Sequence, residues 1–204
     1  MRSSTPKLPS SLSEVAVRYL ETRAARFEVS VSARKIKLWP ALLEIERTFG
    51  GLHFADWLLG PSAIVMKAPK LRNTRTSPVP LVCVGVNDTG RLFADEGGQI
   101  WDEDAAAGSL RLRADCMERR IEREAYGFHI GVLGQHRFKV LPSSVSAAAG
   151  AKKLGLPLIK KASDQFERVW QSDKLTVWKS TDDVRVFAKT DAALKKAVAT
   201  IEAA

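Results

Sequence analysis

Pro80-Leu-Val-Cys-Val-Gly-Val-Asn-Asp-Thr-Gly-Arg-Leu-Phe-Ala-Asp-Glu-Gly-Gly-Gln-Ile-Trp-Asp-Glu-Asp104 reads as strand, turn, strand, turn, strand. Asn87-Asp88-Thr89-Gly90 and Glu96-Gly97-Gly98 supply residues that tolerate positive φ or bond their own backbone in tight turns, and short apolar runs flank each of them. The stretch predicts an antiparallel meander. It contains no catalytic constellation, so it points to a binding surface rather than a reaction centre.

On the N-terminal side, residues 1–10 carry no apolar period and are expected to fray. Ser11-Leu-Ser-Glu14 reads as a capping box, and Val15, Ala16, Tyr19, Leu20 and Phe27 at near-helical spacing predict a first helix running to about Phe27. Residues 29–38 alternate apolar and polar, as a short strand or an extended connector does. Pro40 suits the first turn of a second helix over 41–49, and Gly50-Gly51 offers its left-handed stop. Residues 52–80 mix aromatics with Pro and hold a basic loop at 67–75.

Past the meander, Leu110, Ala114, Met117, Ile121 and Ala125 recur three or four apart, which predicts an amphipathic helix over 110–126 that stops at Gly127. A strand at 128–133 and an Ala-rich helix or linker at 143–154 follow. Phe166 to Gln171, Leu175 to Trp178 and Val184 to Phe187 read as three strands, and Asp191 caps a terminal helix whose stripe is Leu194, Ala197, Val198 and Ile201.

At 204 residues and 45% apolar content the chain can bury one core with an elaborate tail, or two small cores. No run approaches the roughly 18 apolar residues of a membrane span, and the N-terminus has charge but no apolar stretch behind it. These features predict a soluble, cytoplasmic protein. Cys83 and Cys116 read as buried free thiols. The net charge of +9 is uneven: residues 1–78 carry 13 Lys/Arg against 6 Asp/Glu, residues 79–127 carry 6 against 10, and residues 128–204 carry 13 against 7. A basic frame around an acidic centre suggests either two faces of opposite sign or a partner read by charge complementarity, with a merely solvating surface as the alternative.

His53, His129 and His136 lie far apart and none has metal-site spacing, while Asp95, Glu96, Asp102, Glu103 and Asp104 lack the pattern of a calcium loop. No nucleophile-elbow serine and no phosphate loop occurs. The sequence therefore assigns no catalytic residue, metal or cofactor. The same five acids are instead candidates for a surface that meets a basic patch on a partner. Among the five tryptophans, Trp101 is expected in the core, whereas Trp57 and either Trp170 or Trp178 are the better candidates for a partly exposed anchor, with core packing the favoured reading of each. Arg34-Lys35, the 67–75 loop, Lys152-Lys153 and Lys160-Lys161 support nonspecific affinity for nucleic acid, without any accompanying recognition motif.

Three features in this order, the helix ending Glu46-Arg-Thr-Phe-Gly50-Gly51, the meander with Gly90 and Gly98 at its turns, and the helix ending Ile121-Glu-Arg-Glu-Ala125, resemble the SUKH superfamily. The matching residues are Phe49-Gly50-Gly51, Val84-Gly85, Gly90, Leu92, Asp95, Gly98 and Ile100-Trp101, within roughly residues 12–126. Members include a yeast cell-wall regulator and bacterial immunity proteins that neutralise toxins. The resemblance implies an α+β fold and a protein-binding, non-enzymatic role, and it carries over no catalytic residue.

The expected architecture is α+β: an antiparallel sheet of about four to six strands packed by helices, with a C-terminal strand-strand-helix extension. The expected division is a flexible 1–10, a SUKH-like domain over 11–127 and an extension or second small domain over 128–204. The expected function is immunity through contact with a cognate protein toxin. A basic nucleic-acid-associated protein and an enzyme with an unrecognised site are the alternatives.

Overall fold

The computed structural model of the protein describes residues 8–26, 39–54, 57–58, 79–87 and 90–204, with Arg26, Trp57 and Leu58 described in their backbone alone. The residues expected as a strand or connector at 29–38 and as a basic loop at 67–75 lie outside the described residues, as do residues 1–7. The chain forms two compact units, Met1–Glu118 and Arg119–Ala204. Its class is α+β, with antiparallel sheets throughout and a strand-strand-helix ending at the C-terminus.

The first unit holds helices α1 (Glu14–Arg23) and α2 (Pro40–Phe49) and a seven-stranded sheet in sequential order: β1 (Ala24–Arg26), β2 (Leu52–Phe54), β3 (Trp57–Leu58), β4 (Val82–Val86), β5 (Arg91–Ala94), β6 (Ile100–Asp104) and β7 (Ser109–Ala114). The meander is β4, β5 and β6, as its turn residues predict. Asn87 accepts from the Gly90 amide at 2.7 Å through its side chain, and Gly98 takes φ +82°, where a Cβ would lie 3.0 Å from that of Ala41 on α2. Gly50-Gly51 does end α2, with Gly51 at φ 75°.

Several boundaries differ from expectation for local reasons. Ser13, not Ser11, caps α1, because its hydroxyl accepts the Ala16 amide at 3.1 Å. The chain leaves the helix at Arg23 and pairs as β1 with β2, so the helix stops short of Phe27. Residues 109–114 are a strand rather than the start of a helix. Leu110 and Ala114 satisfy a helical period, but Leu110 and Leu112 also satisfy a period of two, and pairing of Trp101 with Leu112 and Asp102 with Arg111 decides between them. Leu81, Phe93 and Trp101 form a small cluster on one face, with Cys83, Leu110 and Leu112 against it.

Helix α3 (Met117–Val132) starts later and runs further than expected, through Gly127, so residues 128–132 are helical and not a strand. The stop glycine is Gly134, at φ 69°: its amide donates to the Gly131 carbonyl and the Gln135 amide to that of Ile130, the paired bonds of a Schellman ending. Cys116 sits just ahead of this helix.

The second unit continues with β8 (Arg137–Pro142), α4 (Ala147–Lys153), β9 (Arg168–Gln171), β10 (Leu175–Lys179), β11 (Asp183–Ala188) and α5 (Asp191–Glu202). Thr190 rather than Asp191 caps α5, its hydroxyl accepting the Ala193 amide; Asp191 occupies the first turn, where the helix dipole favours an acid. The four strands order as β8-β11-β10-β9. One face, with Leu141, Val184, Val186, Ala188, Leu175, Val177 and Trp170, is packed with Ala147 and Ala151 of α4 and Ala197 and Ile201 of α5. Trp170 is therefore core, the favoured of its two readings, and not an exposed anchor.

Helix α3 lies on the opposite face, where a Cβ on Gly127 would stand 3.7 Å from the Trp178 ring. Arg123, fully buried, pairs with Asp164, donates to the Ala162 carbonyl at 3.1 Å and lies 3.9 Å from Glu167. Glu167 also accepts the Trp178 indole at 2.7 Å. Near the end of α3 the Thr176 hydroxyl donates to Gln135 at 2.6 Å and accepts from Gln171 at 2.9 Å, all three side chains being buried.

Two outcomes follow for stability. Arg123→Leu strands two buried carboxylates and lowers unfolding free energy by about 3–5 kcal/mol, read from urea midpoints. Burial pushes the Cys83 thiol above its ordinary 9.0. In the window above that value the unfolded chain releases a proton that the folded chain keeps, so stability falls as pH rises. Urea titrations at successive pH values should show this fall in the parent protein and a shallower one in Cys83→Ala.

Candidate protein-binding surface

The strand geometry separates the five acids that the sequence groups together, because successive side chains on β6 point to opposite faces. Asp95 turns inward: it is 7% exposed and accepts the amides of Gly97 and Gln99 at 3.0 Å and the Trp101 indole at 3.1 Å. Its carboxylate organises the β5–β6 turn. Glu103 is held by Arg91 through two bonds, at 2.6 and 2.8 Å, while Arg91 also lies 5.6 Å over the Phe93 ring.

Asp102 faces the other way, paired in register with Arg111 and 3.8 Å from Arg113. Asp104 accepts the amides of Ala106 and Ala107 at 3.0 Å and shapes the β6–β7 turn. Glu96 alone of the five is exposed. A single negative patch is therefore not what these residues build. The Trp57 side chain lies outside the described residues.

A different surface stands out in the second unit. Cross-strand pairing places Gln171, Thr176, Phe187 and Phe138 in one row, and Val169, Trp178, Arg185 and Val140 in the next, on the face that α3 covers. Gly127 and Gln135 put α3 over the β9–β10 half of these rows. The β11–β8 half is left open. Phe138 is 64% exposed and Val140 47%, and the Phe138 ring stacks on Phe187 with centroids 6.2 Å apart. On α3 itself Phe128 and Val132, one turn apart, are 37% and 63% exposed.

Covering the Phe138 and Val140 side chains is worth about 2–3 kcal/mol in transfer free energy, half or so of two full burials. These neighbouring exposed apolar side chains make the open half-face the candidate binding surface of this unit. The alternation Arg137-Phe-Lys-Val-Leu after Gly134 is the signal that would have found β8 in the sequence.

The ionisable groups that do converge in this unit, Arg123 with Asp164 and Glu167, have buried side chains engaged with one another. A shallow recess of about 290 Å³ is lined by Arg168, Lys179, Gln165, Ser146, Phe166 and Trp170, among other residues, with no histidine or carboxylate. Among the described residues no group of three or more His, Cys, Asp or Glu could hold a metal ion, and no helix is long and apolar enough to cross a membrane. Family models, curated proteins and solved structures give no match to the chain.

The turn role of Asp95 has a measurable consequence. Asp95→Ala leaves two backbone amides and an indole without their acceptor and costs about 2–3 kcal/mol in urea unfolding, whereas Glu96→Gln shifts stability by no more than about 0.5 kcal/mol.

Proposed function

We propose that the protein acts by binding another polypeptide and, following its resemblance to the SUKH superfamily, that it is an immunity protein that neutralises a cognate toxin domain by contact. The observation that carries the binding reading is the open apolar half-face of the second unit, Phe138 and Val140 beside Phe187. Exposed aromatic side chains that stack on a rigid sheet lose little conformational freedom on docking, as interface anchors require.

Charge supports the same reading through the encounter rate. Residues 119–204 carry 16 Lys/Arg against 9 Asp/Glu, and residues 1–118 carry 16 against 14, so the excess lies with the unit that holds the apolar surface. A basic nucleic-acid-associated role is the second reading, favoured by the exposed pairs Lys152-Lys153 and Lys160-Lys161.

Co-expression with toxins encoded beside its gene tests the proposal. Rescue of growth and co-purification in a fixed ratio are expected, with Phe138→Ser weakening the complex by about tenfold or more. Retention of nucleic acid that is shed in salt, without rescue or a bound protein, would replace immunity with the second reading.

A further inference from the structure

The four-stranded sheet of the second unit treats its two edges differently. Along β9 the chain covers its own edge: the Ile159 amide donates to the Val169 carbonyl at 2.8 Å, the Gln171 amide to the Pro157 carbonyl at 3.2 Å, and Leu158 bridges Trp170. Nothing comparable pairs with β8 among the described residues. It is the last strand in the order, and Arg137, Phe138, Lys139 and Val140 are all exposed. Every second residue of such a strand points its N–H and C=O away from the sheet.

The side chains on this edge say what can pair with it. Phe138 and Val140 share the open apolar face with Phe187 and Arg185, while Arg137 and Lys139 lie on the other side, in register with Ala188 and Val186, and Arg137 also meets the exposed Asp191 at 3.5 Å. A second copy of β8 is a poor occupant. Of the antiparallel registers that keep apolar residues together, those centred on Phe138 or Lys139 set Arg137 opposite Lys139 or Lys139 opposite itself, and like charges directly opposite are destabilising, while the one centred on Val140 sets Lys139 against Leu141 and offers it no opposite charge.

Resting on the protein-binding reading above, we propose that β8 is a strand-addition site for an extended acidic segment of the partner. In that segment Asp or Glu alternates with apolar residues, its acids facing Arg137 and Lys139 and its apolar side chains lying over Phe138 and Val140. The ladder supplies sequence-independent bonds and the alternation supplies selectivity.

The test uses the full chain and two dye-labelled peptides, one alternating Glu with Val and one alternating Lys with Val, followed by fluorescence anisotropy at low salt. Lys139, with Arg137 shared between the peptide and Asp191, predicts that the Glu peptide binds several-fold, up to about tenfold, more tightly than the Lys peptide. Lys139→Glu, at an exposed position, should narrow or invert that preference, and Phe138→Ser should weaken both peptides.

Amide exchange at residues 137–141 should slow when the Glu peptide binds, because outward amides enter a ladder. Equal binding of the two peptides, no binding of either, a preference untouched by Lys139→Glu, or unchanged amide exchange would each overturn strand addition. A single-stranded oligonucleotide that displaces the Glu peptide from the parent and from Phe138→Ser equally would also overturn it, assigning the site to nucleic acid. None of these results depends on which toxin is tried, so loss of the edge proposal and loss of the immunity reading are separable.

Discussion

An open sheet ends in two strands whose outward amides and carbonyls have no neighbour, and each end must be paired, covered or made unattractive to the wrong partner. The second unit uses two of these solutions. At β9 the segment carrying Pro157, Leu158 and Ile159 folds back and supplies hydrogen bonds, and Pro157 contributes its carbonyl, the only backbone group it can offer to a ladder. At β8 the cationic side chains Arg137 and Lys139 take that place. Charge on an edge disfavours a like charge directly opposite it and favours an unlike one.

How much of the neighbouring face stays open depends on where α3 rests, and polar contacts fix that position. Apolar packing alone is tolerant of sliding, since Phe187 and Phe138 continue the surface that Trp178 begins. Arg123 with Asp164 and Glu167 at one point, and Gln135 with Thr176 and Gln171 at another, are directional and have few alternative partners. Burying these charges gains little net stability over an apolar cluster of the same shape. Their effect is on placement: they hold the helix over β9 and β10 and away from β11 and β8.

The sequence is most legible where local chemistry decides the structure. Asn87, Gly90 and Gly98 dictate the meander because few other residues suit those turns, and the terminal helix is plain from its stripe. It misleads where two local readings coincide. Leu110 to Ala114 fits both periods until β6 is present to pair with it, and Gly127 resembles a helix stop although the Schellman bonds form at Gly134. The acidic run misleads for a geometric reason: adjacent residues are neighbours in sequence but point to opposite faces of a strand. Asp102 and Glu103 thus meet different arginines, while Asp95 is consumed by its own turn.

The same separation of sequence from surface governs the basic charge. Of the nine acids in residues 119–204, Glu122, Asp164 and Glu167 have buried side chains, and Asp164 and Glu167 are engaged with the equally buried Arg123. The solvent-facing part of this unit is thus more positive relative to its acids than the raw tally indicates. Screening confines that field to about 10 Å at ordinary ionic strength, a distance that spans two or three strands of a sheet. At that range the cations that bear on the open face and edge are those of the strands themselves, Arg137 and Lys139 on β8 and Arg185 on β11, each exposed, and two of them are already met by acids of the same chain, Arg137 by Asp191 and Arg185 by Asp183.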